Sequence, residues 1–139
     1  MAGRKLLHRS TGVVETPVER VRDLVLTVRP GPVSDTNGWL LTDLGETLSG
    51  GPQRFTLTIA GGTQTVELSA DTLAIQGGWW YRGEWTVAVT GDGTQVTYRV
   101  YNVASKTRWL VPLANRFFFG FQEQQRQGFR DVLDRLSRA

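Results

Sequence analysis

The chain of 139 residues contains no cysteine and a single histidine, His8. Without cysteine there is no disulfide scaffold, no thiol nucleophile and no zinc site of the His/Cys type. A Ser-His-Asp triad would have to use His8, which has no motif around it and fits an ordinary strand residue. We therefore predict no metal site and no cofactor, and the composition identifies no reaction.

Lysine is also scarce, since the cations are fourteen arginines and only two lysines. They are interleaved with 13 acidic residues, which leaves a net charge of +3. A nucleic-acid footprint usually concentrates its basic residues on one face or in one run. The scattered charges favour a solvated mixed surface, and we expect no nucleic-acid partner.

Long apolar runs are missing as well. The longest, residues 109–121, is interrupted by Pro112 and Arg116 and is too short to span a bilayer. Residues 1–9 are basic but no apolar segment of the signal-peptide type follows them. These features predict a cytoplasmic protein without a transmembrane segment.

What is present is enough apolar material for one core. Forty per cent of the residues are apolar, and a chain of this length can bury one core and one internal pocket. No internal repeat, low-complexity tract or linker divides the sequence. We therefore predict a single domain over residues 1–139.

The first third predicts a strand followed by a helix. Residues 6–14 favour a strand, and Thr16-Pro17-Val18-Glu19 has the residue types of a capping box with proline at the first helical position. Apolar residues then recur at helical spacing up to Val28. Pro30 disfavours helical geometry at Arg29, so we expect the helix to end there.

The middle of the chain predicts an antiparallel meander. Residues 39–48 favour a strand, and alternating apolar and polar residues predict further strands around 55–59, 65–68, 85–90 and 96–100. Gly61-Gly62 and Gly91-Asp92-Gly93 supply turns. Between Leu73 and Trp85 we place a turn near Arg82-Gly83, with Gly77-Gly78 as the alternative.

From residue 112 to 138 the period becomes helical. This helix is long enough to cross a whole sheet. Gln125 and Gly128 interrupt its apolar side. Either they leave room and a polar anchor for a ligand, or the helix passes the sheet edge there and Gln125 meets water.

This order of elements resembles the START/Bet v 1-like superfamily, which includes polyketide cyclases and dehydratases. The likeness rests on residues 14–25 (VETPVERVRDLV), on Trp39 after a short gap, and on residues 122–136, which end in FRDVLDRL. The resemblance implies an α+β helix-grip fold: a curved antiparallel sheet of about seven strands wraps around the long C-terminal helix, with one or two short helices after the first strand.

The resemblance also implies a cavity between sheet and helix for a lipid, a polyketide or a similar molecule. Our leading hypothesis is a binding domain for a small apolar or aromatic ligand, with Tyr98 and Gln125 as polar anchors. The alternatives are an enzyme of the polyketide cyclase or dehydratase type and an interaction domain whose cavity is filled by its own side chains. Residues with inward parity or on the core side of the helix are the expected ligand contacts: Phe55, Leu57, Trp85, Tyr98, Phe117, Phe121 and Gln125.

Two further groups of residues have both a functional and an ordinary interpretation. Phe119 points away from Phe121 on the predicted helix and, with Trp109, is a candidate homodimer contact.

The second group is the cluster Trp79-Trp80-Tyr81-Arg82. Alternation puts Trp79 and Tyr81 on one face of the strand and Trp80 and Arg82 on the other, where Arg82 is able to pair with a carboxylate or phosphate. Glu67 and Glu84 are expected to point outward into solvent.

Overall fold

The structure, a computed structural model, describes residues 4–78, 80–104 and 121–139. Within these ranges the helices are α1 (Val18–Val25), a short 3₁₀ helix (Trp39–Leu41) and α2 (Phe121–Ser137). The strands are β1 (Lys5–Val14), β2 (Gly31–Pro32), β3 (Thr47–Gly50), β4 (Arg54–Ile59), β5 (Gly62–Leu68), β6 (Thr72–Gly77), β7 (Tyr81–Thr90) and β8 (Gly93–Asn102).

These strands form one curved antiparallel sheet in the order β1-β8-β7-β6-β5-β4-β3-β2. Strands β2 to β8 are neighbours in chain order, and β1 returns to pair with β8, from Lys5 opposite Asn102 to Val14 opposite Thr94. The predicted α+β helix-grip architecture is confirmed. Among the described strands the sheet has eight members, because the two-residue β2 adds an edge beyond β3.

Alternation along the strands separates an inner face from an outer one. Val87 and Val96 face each other across β7 and β8, and both are buried. Trp85 and Tyr98 form the next inward pair of the same two strands. The predicted alternation of inward-facing and outward-facing residues is therefore confirmed for the long strands. One face of these strands packs against helices, and the other carries threonine and charged residues.

The predicted strand over residues 39–48 is wrong for most of its length. Trp39 and Leu41 are buried in the 3₁₀ helix, and the amides of Leu44 and Gly45 both bond to the Leu41 carbonyl. A side chain at Gly45 would collide with Leu57, so glycine allows this turn to lie directly on the sheet. Trp39 and Leu41 are two residues apart, which is also the spacing of inward-facing residues in a strand. The strand β3 itself begins at Thr47.

The turn between β6 and β7 lies at the alternative position and not near Arg82-Gly83. Gly78 has φ of +64°, a conformation that favours glycine, and β7 starts at Tyr81. Gly83 lies inside β7, where a side chain would meet the rings of Tyr81 and Tyr98. Glycine at 83 therefore makes room for aromatic neighbours within the strand, which the sequence alone presents as a turn signal.

The predicted capping box at the start of α1 is wrong. The residue that precedes the helix is Pro17, and no side chain caps the free amides. The hydroxyl of Thr16 instead donates to the Leu136 carbonyl of α2 at 2.7 Å, and the hydroxyl of Thr94 donates to the Thr16 carbonyl at 2.7 Å. A tertiary contact has taken the hydroxyl that the local pattern assigns to a cap. The helix also ends at Val25, before the predicted stop at Arg29.

Helix α2 lies across the inner face and comes into close contact with β1 at Gly12. A Cβ atom at Gly12 would collide with Leu133 and come within 3.3 Å of Phe129. Leu136, one turn further along, is fully buried. The first part of the predicted helix, residues 112–120, lies outside the described residues. No helix in the described ranges has the length and apolarity needed to cross a membrane.

We expect Gly12→Ala to lower the free energy of unfolding by about 1–3 kcal/mol, because the added methyl group overpacks the contact with Leu133. Urea denaturation measures the change. Gly62→Ala is the matched control, since Gly62 also lies in a strand and an added Cβ meets nothing within 4 Å.

The same substitution should cost less in a Leu133→Ala background, because that variant removes the colliding atoms. Equal losses of stability in both backgrounds, or equal losses at Gly12 and Gly62, would contradict this account of the helix contact.

Candidate functional site

A cavity of about 430 Å³ lies between the inner face of the sheet, helix α2 and the turn that follows the 3₁₀ helix. Its volume is within the range of sites that enclose small organic molecules. The sheet supplies its floor, α2 one wall, and the turn the opposite wall. It is lined by Leu40, Asp43, Leu44, Ile75, Tyr81, Trp85, Tyr98, Gln125, Gly128, Phe129, Asp131, Val132 and Arg135.

Three stacked rings form the aromatic wall of this cavity. Trp85 lies over Tyr98 with ring centroids 4.3 Å apart, and over Phe129 with centroids 5.8 Å apart. The interplanar angles are 25° and 18°, so the rings are nearly parallel. Strand register places the first two opposite each other, and α2 brings Phe129. Such a stack presents rigid apolar surface at little cost in side-chain entropy.

A chain of hydrogen bonds forms the polar part of the lining. The Tyr98 hydroxyl donates to the Gln125 Oε1 atom at 3.0 Å. The Tyr81 and Tyr98 hydroxyl oxygens are 2.8 Å apart. Because Tyr98 has one proton and donates it to Gln125, Tyr81 is the donor of the bond between the two tyrosines. The sheet and helix α2 are thus joined by two consecutive hydrogen bonds, from Tyr81 to Tyr98 and from Tyr98 to Gln125.

Burial raises the pKa of both tyrosines above the ordinary value. For Tyr98, desolvation is the largest cause and proximity to Tyr81 adds to it. Desolvation is also the largest cause for Tyr81 and outweighs the opposing effect of its hydrogen bond to Tyr98. Both hydroxyls therefore stay protonated at neutral pH and act as hydrogen-bond donors, not as bases.

The structure brings together three of the predicted ligand contacts: Trp85, Tyr98 and Gln125 all line the cavity. Phe55 and Leu57 lie elsewhere, in closed core beneath the loops at Gly51 and Gly45, and do not line it. Phe117 is outside the described residues, and Phe121 begins α2 without a described side chain. Phe119 and Trp109, the predicted dimer contacts, also lie outside the described residues.

Sequence reasoning missed several lining residues, chiefly Tyr81 and Phe129. Tyr81 shares the inward parity of Trp85 on the same strand, but a turn placed at Arg82-Gly83 breaks that strand and hides the relation. Phe129 is recognisable as a core-side residue of the helix, yet its contact with Trp85 depends on how α2 crosses the sheet. Leu40 and Leu44 come from a segment predicted to be a strand.

Arg82, Glu67 and Glu84 lie on the outer face, away from the cavity. Arg82 contacts Glu67 at 2.7 Å and Glu84 at 2.8 Å, and Arg4 also pairs with Glu84. Both glutamates point outward as predicted, but Glu84 is not solvated, since its side chain is only 13% exposed. The hydrogen bond from Arg82 lowers the pKa of Glu67 and outweighs the effect of burial. The predicted carboxylate pairing of Arg82 is therefore intramolecular.

A wider cleft of about 770 Å³ lies where the carboxyl ends of α1 and α2 meet. Its rim carries Arg20, Arg29, Arg138 and the carboxylates of Asp23 and Asp35, all exposed. Charges of both signs compensate one another there, and basic groups at helix carboxyl ends also offset the helix dipoles. The smaller cavity, with its aromatic wall, is the better candidate site.

We expect the free energy of unfolding to fall as the pH rises above about 10. The pKa values of Tyr81 and Tyr98 are raised in the folded protein, so above the ordinary tyrosine value the unfolded chain loses protons that the folded chain retains. Urea denaturation at pH 9 and pH 11 measures the loss. In the control variant, Tyr81→Phe/Tyr98→Phe, this alkaline loss should be smaller, and an equal loss would contradict the raised pKa values.

Comparison with known proteins gives no match to a family model or to a curated protein. Among solved structures, the chain is similar to protein BH1534 of Bacillus halodurans, with 14% identity, a TM-score of 0.56, and coverage of 96% of this chain and 97% of that one. The chain is also similar to Ara h 8.0201, a Bet v 1-family allergen, with 12% identity, a TM-score of 0.43, and coverage of 99% of this chain and 100% of that one. Element order, sheet topology and the likeness to BH1534 together show that the chain has an α+β helix-grip fold.

Proposed function

We propose that the protein binds one small apolar or aromatic molecule in the cavity between its sheet and α2. The observation that carries this proposal is the stacked wall of Trp85, Tyr98 and Phe129 beside about 430 Å³ of unfilled space. A planar ligand laid against such a wall loses water from its own apolar face, because the rings of the wall are already buried. Each Å² of apolar area removed from water contributes about 25 cal/mol before the cost of binding.

The mouth of the cavity also supports binding. Leu44 is 52% exposed on the turn beside it, and Asp43 and Asp131 are exposed lining residues. An apolar residue held in water at the edge of a cavity gains burial when a ligand enters. The lining therefore has an apolar interior and a polar rim, which is the arrangement that small-molecule sites share.

Binding is better supported than the two alternatives. A domain with a self-filled cavity would leave little space between sheet and helix, whereas about 430 Å³ remains beside the aromatic wall. A cyclase or dehydratase would need a base within the cavity, where the two tyrosines retain their protons, while the lining carboxylates Asp43 and Asp131 are exposed to solvent. We therefore propose a carrier or sensor that does not transform its ligand.

Gly128 offers a test that separates cavity filling from damage to the fold. In Gly128→Leu the new side chain should occupy the cavity, while leucine at a helical position is more favourable than glycine by about 0.8 kcal/mol. We expect at least tenfold weaker binding of N-phenyl-1-naphthylamine, a neutral aromatic probe followed by its fluorescence, and an unchanged or higher melting temperature.

The matched control is Gln124→Leu, which adds the same side chain to an exposed position of α2 that does not line the cavity. It should bind the probe as the wild type does. Wild-type affinity in Gly128→Leu, or an equal loss in both variants, would exclude this cavity as the binding site.

A further inference from the structure

We infer that the bound molecule is a neutral aromatic compound with a carbonyl group, and that the Gln125 side-chain amide donates to its oxygen. This inference rests on the proposed function and names the ligand class of the same cavity. It follows from which protons of the polar lining are already used and which are left.

Both tyrosine protons are used within the protein. Tyr81 donates to Tyr98, and Tyr98 donates to Gln125 Oε1. Each hydroxyl has one proton, and because the pKa values of both are raised neither proton is lost at neutral pH. Neither tyrosine therefore has a proton left for a ligand.

The bond from Tyr98 also fixes the Gln125 amide. With Oε1 occupied, the Nε2 group and its two protons remain, and among the described residues Nε2 has no hydrogen-bond partner. Gln125 is half-buried on α2 and lines the cavity beside the aromatic wall. The amide group of Gln125 is thus available as a hydrogen-bond donor. A ligand that uses it needs a hydrogen-bond acceptor.

The charged groups of the lining are Arg135, Asp43 and Asp131. The Arg135 guanidinium lies 4.1 Å from the centroid of the Trp39 ring and donates to the Trp39 carbonyl. Asp131 is exposed and accepts from Gln127 Nε2 at 3.1 Å, and Asp43 is exposed on the turn. With two carboxylates and one guanidinium, these groups have a net negative charge, which favours a neutral carbonyl over a carboxylate as the acceptor.

Two probes of nearly equal shape test the inference: 2-acetylnaphthalene, which carries a carbonyl group, and 2-ethylnaphthalene, which does not. Equilibrium dialysis at pH 8 gives the dissociation constant of each. One additional neutral hydrogen bond should make the ketone bind about threefold to tenfold more tightly to the wild-type protein. Equal affinities would overturn the inference and leave the proposed cavity binding intact.

The variant Gln125→Glu exchanges the donor for an acceptor without a change in side-chain length. Its carboxylate still accepts the Tyr98 hydroxyl but has no N–H to offer, so the preference for the ketone should disappear or reverse. Gln124→Glu is the matched control, because it adds the same charge at an exposed neighbouring position. It should retain the wild-type preference.

The remaining outcomes are also decisive. A preference that persists in Gln125→Glu would show that another group binds the carbonyl, and would overturn the assignment to Gln125. If neither probe binds the wild-type protein, the proposed function fails and the inference falls with it. Should Gln125→Glu not fold, the wild-type ratio of the two affinities still decides whether the site prefers a carbonyl compound.

Discussion

The close approach of α2 to β1 at Gly12 determines where the cavity lies. Because position 12 has no side chain, Leu133 and Phe129 rest almost on the backbone of the strand at one edge of the sheet. Held against that edge, the helix reaches the inner face of β7 through Phe129, which stacks on Trp85. The space that remains is bounded by Ile75, Tyr81 and Trp85, and the turn after the 3₁₀ helix closes it.

The carboxyl end of α2 is fixed by contacts of a different kind. Thr16 bonds to the Leu136 carbonyl, and the Arg135 guanidinium lies on Trp39. One contact ties the helix to the junction of β1 and α1, and the other ties it to the 3₁₀ helix. Polar and cation–π contacts thus position a helix whose apolar contact is concentrated near Gly12. The described part of the chain leaves no fully buried side-chain nitrogen or oxygen without a partner.

Tyr98 connects the two halves of the candidate site. Its ring is the outer member of the aromatic stack, and its hydroxyl is the middle of the hydrogen-bond chain between Tyr81 and Gln125. The ring contributes apolar surface while the hydroxyl orients an amide on another element. The apolar and the polar parts of the candidate site therefore both depend on Tyr98, through different atoms of its side chain.

The fold was largely predictable from the sequence, and the site only in part. Alternation revealed the long strands and the inward parity of Trp85 and Tyr98, because a residue's face in a strand depends only on its neighbours. Two glycines misled the prediction. Gly83 makes room for Tyr81 and Tyr98 within a strand and does not mark a turn. Gly45 makes room for Leu57 in a turn and does not belong to a strand. Thr16 misled it because its hydroxyl bonds to a residue 120 positions away. The conformation at these residues depends on contacts between elements that are distant in sequence, and a local sequence pattern carries no information about such contacts.

The pairing of β1 with β8 has a consequence for how the molecule assembles. Lys5 lies opposite Asn102, so the first strand pairs with the last, and every other strand of the sheet lies between them in sequence. On the ribosome, β1 emerges long before β8, the strand with which it pairs. Closing so large a loop delays this pairing, which makes the β2–β8 meander the earlier structure and the docking of β1 a late event in folding.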